Sequence, residues 1–413
     1  MSAPALKPAR PSEARAQSFL PYGRQVIEDD DIAAVTEVLR GEYLTTGPSV
    51  ARFEQALATY AGAKYAVVCS SGTAALHMAA RALNLGSGTK IIAPTITFLA
   101  TASAPHMNGA DIVFADVDPN TGLMTPETFS NAIARAGKAH AVFNVHLNGQ
   151  CGSLEEIGAI ARIHGMKIVD DACHTLGASY FDSNCGATRI GANTHCDLSV
   201  FSFHPVKSIA MGEGGAVTTN DPAMAKRLVA ARNHGMTREP ADFTNVDDAF
   251  DTNGQVNPWY YELVEPEFNW RANDIQCALG LSQLKKLERF LMRRRAIVAA
   301  YDALLAPYAQ ILRPLSRVRT CLPAWHLYVA RIDFEAAGIS RCALMRALSL
   351  DGIGTQVHYF PVHRQPYYAK RFPATLPGAD RYYAHALSLP LSAAMDESDV
   401  ERVVDTLGRH LKR

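Results

Sequence analysis

One lysine, two aspartates and a small-residue turn carry the chemistry this chain could do. Lys207 sits in FSFHPVKSIAMGEGG (201–215), between an apolar run and a loop with three glycines. Lysines are mostly solvent-exposed, so a lone one means little. Here Ser202 and His204 bring polar groups into the apolar run, and Gly212, Gly214 and Gly215 permit sharp turns and close backbone approach. A lysine held in a partly desolvated pocket loses basicity and becomes an amine nucleophile toward an aldehyde. IVDDACH (168–174) ends an apolar run in Asp170 and Asp171, with His174 three residues on. One of those carboxylates could hold a protonated ring nitrogen through a charge-assisted hydrogen bond. Strand alternation places the two on opposite sides, so at most one faces a common site. SSGTAAL (70–76) takes a strand into a helix through small residues and leaves free N–H groups at a positive helix end, a seat for a phosphate. Ser71 or Thr73 could equally be a helix cap with no ligand. A Schiff-base lysine, a phosphate seat and an acid for a pyridinium nitrogen are together what a pyridoxal phosphate enzyme requires. No metal site is expected, because His326, His358 and His363 lie far apart and no ligand spacing links them.

The elements that must position these groups alternate along the chain. Apolar β-rich runs at 65–70, 90–97, 112–116, 140–146, 166–172, 196–204 and 214–221 predict seven strands. Helical patterns at 72–83 and 153–165 lie between them, which predicts a mostly parallel sheet covered by helices. Lys207 then falls on the connection between the last two strands. Asp29 to Arg40 reads as a helix, GEYLTTGP as a loop, and 236–268 as irregular. A long helical block over 274–305 leads into strand LYVARI, helix SRCALMRALSL, strand GTQVHY and helix ESDVERVVDTLGRHL, a smaller α+β unit. The expected division is a tail at 1–18, a large domain at 19–280, and the linking helix with a small C-terminal domain at 281–413.

The totals exclude several partners. With 413 residues, 48% hydrophobic and 19% charged, the chain can bury a sizeable core. Lysine plus arginine and aspartate plus glutamate both number 40, so no net field gathers nucleic acid or an anionic membrane. No apolar run reaches the length of a membrane helix, and the opening MSAPALKPARPSEARAQ lacks a signal peptide's apolar centre. The 8 cysteines are scattered without a CxxC pair and read as reduced thiols of a cytoplasmic protein, with no bridge expected between Cys185 and Cys196.

LTTGP, SSGTAALH, ITFLATA, DDACHTLGA, FSFHPVKSIAMGEGGAVTTND, NWRANDIQCALGLSQLKKLE and QVHYFPVHRQPYY occur in one order from about Leu20 to the C-terminus. In that order and spacing the chain resembles the DegT/StrS family of pyridoxal phosphate-dependent nucleotide-sugar aminotransferases. The resemblance implies an α/β fold type I transferase, a homodimer with shared active sites, and L-glutamate and a nucleotide sugar as reactants in a ping-pong exchange. It puts Lys207 on the Schiff-base lysine, Asp171 on the partner of the pyridine nitrogen, and His174 beside the ring hydroxyl. It puts Gly72, Thr73 and Ser202 on phosphate contacts and Phe98 on the aromatic that stacks on the ring. Asn269 falls on an asparagine that the partner subunit brings to the phosphate. Tyr22 and the turn Leu44, Thr45, Thr46, Gly47 fall on sugar-nucleotide contacts, with Ser202, His326, His358 and Tyr359 also facing substrate. Within the family the wording is similar to the branch that aminates C4 of a UDP-linked 4-keto-6-deoxy-N-acetyl-L-hexosamine in pseudaminic acid biosynthesis. Two departures are FDSNCGATRIGANTHCD, longer than the usual segment, and SIAMGEGG in place of the common ITTGEGG, which is expected to bear on pocket shape.

Overall fold

A computed structural model describes residues 19–183 and 186–411. The expected tail and Cys185 lie outside them. Seven strands form the central sheet: β1 (Tyr65–Cys69), β2 (Lys90–Pro94), β3 (Asp111–Ala115), β4 (Ala141–Val145), β5 (Lys167–Asp171), β6 (Leu198–Ser202) and β7 (Gly215–Thr219). Their spatial order is β1-β7-β6-β5-β4-β2-β3. Only β7 runs against the others, pairing antiparallel with β1 and β6 on either side. The 203–214 connection returns directly instead of crossing over a helix, and so must reverse the chain. The other strands are the near-continuous apolar runs expected of a sheet covered on both faces.

Helix α1 (Asp29–Arg40) packs on the long helix that starts at Asp274, while α2 (Pro48–Ala61), α3 (Gly72–Ala82), α4 (Ala100–Met107), α5 (Pro126–Ala136), α6 (Leu154–Ile163) and α7 (Pro222–Arg232) cover the sheet. The helix α3 is almost wholly buried, and its alanine-rich sequence lets it lie close to the strands. Ser71 caps it, its Oγ accepting from the Ala74 N–H at 3.1 Å. Helix α8 (Asp274–Leu304) opens with a reciprocal Asn273–Gln276 capping box. Its first half contributes Cys277, Leu284, Leu287 and Leu291 to a core with Phe53, Phe201 and Phe203. Its second half contributes Ile297, Val298 and Tyr301 to a separate core. That second core also holds the sheet β8 (Leu312–Pro314), β9 (Tyr328–Ile332) and β10 (Ala386–Leu389) and helices α9 (Arg341–Leu350) and α10 (Glu397–His410).

Three local readings change. GTQVHY is not a ladder strand, since only Gln356 bridges to Ser388 while β10, absent from the sequence reading, pairs with β9. The long segment before β6 folds part of itself into a three-stranded sheet, Cys321–Leu322 with Ser179–Phe181 and Ala187–Arg189. In SIAM, Ile209 and Met211 pack into the core beside Phe53 and do not line the cavity described below. Gly280 leaves the space that Met211 fills: a Cβ there would lie 2.9 Å from its Sδ. This departure from the family wording therefore anchors the lysine loop and does not shape the pocket wall.

Candidate active site

The carboxyl ends of β2, β4, β5 and β6 and the start of α3 surround one cavity of about 490 Å³, the place where open α/β sheets bind ligands. Register explains the convergence. Val145, Asp171 and Val200 are direct partners across three strands, and Ser202 pairs with Gly215, which pairs in turn with Cys69. Gly215 lacks a side chain where one could not fit: a Cβ would fall 2.2 Å from the Ser71 carbonyl oxygen. The first turn of α3 is thereby pressed against β7. A Cβ on Gly72 would fall 2.8 Å from Ser202 Cβ, so the backbone N–H groups of this helix start open beside the Ser202 hydroxyl.

Lys207 reaches the cavity from the β6–β7 loop. Phe203, fully buried, holds one side of that loop, its N–H donating to the Gly214 carbonyl and its carbonyl accepting from the Met211 N–H. The Lys207 N–H donates to the His204 carbonyl at 2.8 Å. Burial pushes the Lys207 ammonium below the ordinary lysine pKa, against the opposing pull of Cys173 and Asp171. That shift favours a free amine.

Asp171 faces the cavity and Asp170 does not, as alternation along β5 requires. Asp171 Oδ2 accepts from Thr101 Oγ1 at 2.7 Å, and its Oδ1 accepts from the Cys173 N–H at 3.2 Å. Asp170 points the other way, with its Oδ2 3.3 Å from His146 Nε2 and its Oδ1 accepting from Asn144 Nδ2 at 3.4 Å.

His174, His326, His358 and Tyr359 form the opposite wall. Asn148 N–H donates to His174 Nδ1 at 3.3 Å, which leaves His174 Nε2 to carry the ring proton toward the Tyr359 hydroxyl at 3.2 Å. The His174 and His326 rings lie 4.2 Å apart, and Tyr22 sits 5.4 Å from His358. Burial holds His174 and His326 well below the ordinary histidine pKa, and nearby Lys207 adds to this in both. His358 is pushed down to about 3, by burial first and Lys207 second, while its Nδ1 lies 2.8 Å from Ser388 Oγ. The wall is therefore neutral at physiological pH.

The cavity brings together Lys207, Asp171, Gly72, Thr73, Phe98, His174, Ser202, Tyr22, His326, His358 and Tyr359. It does not include Asn269 or Leu44, Thr45, Thr46 and Gly47. Asn269 is exposed, its Oδ1 accepting from the Arg271 N–H. The 44–47 turn is tied to the head of α8, with Gly47 N–H donating to Asp274 Oδ2 at 2.7 Å and Asp274 N–H to the Leu44 carbonyl. His363 is structural, its Nδ1 2.8 Å from Thr95 Oγ1. Among the described residues no cluster could hold a metal ion, and no helix is long and apolar enough to cross a membrane. Thr97, Thr101 and Cys173 also line the cavity and were missed by sequence reasoning. The four-residue spacing of the two threonines across the start of a helix was the available signal.

These parts fit pyridoxal phosphate: an anion seat made by a glycine that cannot be larger, an amine of lowered basicity, an acid fixed on the cavity floor, and an exposed aromatic, Phe98, at the mouth. Fold and cavity define a fold type I pyridoxal phosphate-dependent aminotransferase. The chain belongs to the DegT/DnrJ/EryC1/StrS aminotransferase family, whose profile matches residues 25–408. It is 37% identical over 393 residues, 94% of this chain and 96% of the relative, to the spore coat polysaccharide biosynthesis protein SpsC of Bacillus subtilis. Among solved structures it resembles Helicobacter pylori PseC, an aminotransferase of pseudaminic acid biosynthesis, with a TM-score of 0.85 and 27% identity over 95% of this chain and 99% of that one. It also resembles the PLP form of the Streptococcus pneumoniae sugar aminotransferase Spr1654, with a TM-score of 0.82 and 25% identity over 95% of this chain and all of that one.

Proposed function

We propose that this enzyme moves the amino group of L-glutamate to C4 of a UDP-linked 4-keto-6-deoxy-N-acetyl-L-hexosamine, giving UDP-4-amino-4,6-dideoxy-N-acetyl-β-L-altrosamine. The observation that carries aminotransfer is the convergence of Lys207, Asp171 and the α3 N-terminus on one cavity. Support for the sugar comes from the fold shared with PseC over nearly all of both chains. The relationship to SpsC favours a second reading, in which the acceptor is a different nucleotide-linked ketosugar.

When bound, the cofactor supplies an aldehyde for amine exchange and a ring that accepts the electrons of a deprotonated amino acid. Lys207 would hold that aldehyde, and its Nζ, when free, would serve as the base and acid that moves the amino acid Cα proton. Burial lowers its basicity, which favours the free amine that this role needs. Asp171 would keep a proton on the ring nitrogen through a charge-assisted hydrogen bond. The α3 N–H groups and Ser202 would seat the phosphate, and the neutral His174–His326–His358 wall would present hydrogen bonds to a sugar without attracting charge. Asn269 and Leu44–Gly47, which lie away from their own chain's cavity, would complete the site of a second subunit in a homodimer.

Incubating the holoenzyme with L-glutamate and a panel of UDP-, dTDP- and GDP-linked 4-keto and 3-keto sugars, with products identified by mass spectrometry and NMR, tests the reading. Preferred turnover of the UDP-linked L-configured 4-keto sugar supports it. Preference for another member selects the second reading, and no turnover with any sugar overturns both.

A further inference from the structure

Asp171 is not left to hold its own position. Thr101, fully buried, gives its hydroxyl proton to Asp171 Oδ2 at 2.7 Å. Because an ionised carboxylate only accepts, that proton is committed. The 2.7 Å contact between Thr97 Oγ1 and Thr101 Oγ1 must then run from Thr97 to Thr101. The result is a directed chain, Thr97 to Thr101 to Asp171, in which the Thr101 hydroxyl both accepts and donates. Thr101 is also bonded through its own N–H to the carbonyl of Phe98 at 3.2 Å. One residue thus ties the start of α4, which presents the aromatic at the cavity mouth, to the acid at the end of β5. On its other oxygen the carboxylate accepts from the Cys173 N–H, and the Cys173 thiol also lies in hydrogen-bonding contact with it. Its strand neighbours Val145 and Val200 are apolar and offer no donor. Without Thr101, Oδ2 would lose its threonine donor in a buried setting, and the carboxylate would be held from the Cys173 side alone.

We propose that Thr101 is a positioning residue for aminotransfer: its hydroxyl, oriented by Thr97, fixes the plane of the Asp171 carboxylate that faces the cofactor ring nitrogen and keeps it in register with Phe98. This rests on the assignment of Asp171 to the ring nitrogen. Val is nearly isosteric with Thr, so Thr101→Val removes the hydroxyl and keeps the packing, whereas Thr101→Ser keeps the hydroxyl and removes a methyl.

The apoproteins would be titrated with pyridoxal phosphate by fluorescence quenching, and the visible dichroism of the bound cofactor recorded across pH. Thr101→Val is expected to weaken binding by about tenfold or more, the scale of a lost hydrogen bond to a charged group, and to alter the dichroism. Thr101→Ser is expected to stay within about threefold of wild type on the same scale. Thr97→Val, which spares the direct bond, should shift both readouts the same way but less, and it carries the test if Thr101→Val does not fold. Wild-type binding and dichroism in Thr101→Val, or equal losses in the Val and Ser variants, would overturn the proposal and leave Thr101 a packing residue. Asp171→Asn separates the two layers. If it too binds normally, the Asp171 assignment fails; if it alone is impaired, only the role of Thr101 fails.

Discussion

Replacing Gly72 by alanine tests the anion seat with the smallest possible change. The added Cβ would lie 2.8 Å from Ser202 Cβ, 3.2 Å from Ser202 Oγ and 3.5 Å from Cys173 Sγ, where ordinary contact begins at 3.4 Å. Ser202 Cβ belongs to a paired strand residue and cannot swing aside, so the first turn of α3 must lift away from β6. Overpacking of this kind costs about 1–3 kcal/mol, and alanine at a helical position returns up to about 1 kcal/mol relative to glycine. The net loss of fold stability is therefore small, on the order of 1–2 kcal/mol, and the apoprotein should still fold. The helix N–H groups, however, would be displaced by several tenths of an ångström from a doubly charged group whose hydrogen bonds are among the strong ones. Phosphate affinity should fall about tenfold to a hundredfold, the equivalent of about 1.4–2.8 kcal/mol. Equilibrium dialysis of pyridoxal phosphate, beside the thermal midpoint of the apoprotein, separates the two effects. Gly186→Ala, where the Cβ meets nothing within 4 Å, is the control. A Gly72→Ala protein that folds and binds the cofactor within twofold of wild type would refute the assignment of this helix end to the phosphate.

Further outcomes follow from the same geometry. Lys207→Ala protein mixed with pyridoxal phosphate should lack the visible absorbance of lysine-bound cofactor, and persistence of that band would identify a different lysine. His174, His326 and His358 all have folded pKa values below the unfolded one. The unfolded chain therefore binds more protons between the folded and unfolded values, and stability present above pH about 6.5 is lost as pH falls toward about 3 for His358, at about 1.4 kcal/mol per pH unit per histidine. Urea midpoints of the apoprotein should drop between pH 7 and pH 5, and His358→Gln should flatten that slope; an unchanged slope would contradict the neutral wall. Mixing inactive Lys207→Ala with inactive Asn269→Ala subunits should restore activity if the partner chain supplies Asn269, and no recovery after subunit exchange would count against shared sites.

The sequence made some of this visible for local reasons and hid the rest for non-local ones. The seven strands were legible because each is a short apolar run buried on both faces, and α8 because its Asn273 cap opens a long run without proline. The antiparallel sense of β7 was implicit in the short 203–214 connection. GTQVHY misled because alternation alone cannot tell a ladder strand from a segment that spends its side chains on a pocket. Val357, His358 and Tyr359 all line the cavity, and Gln356 makes only one bridge. Chemistry-bearing types announced themselves: a lysine among glycines and two adjacent aspartates stand out against an apolar background. Thr101 did not, because a buried threonine in ITFLATA is compositionally ordinary. Its meaning comes from a carboxylate 70 positions later, brought within 2.7 Å only when β2, β4 and β5 are laid side by side. The two kinds of residue differ in what selects them. Lys207 and Asp171, in the proposed roles, would be constrained by the atoms they present to a ligand, so residue type alone marks them. Thr101 is constrained by the direction in which Asp171 must point, and direction exists only in the folded sheet.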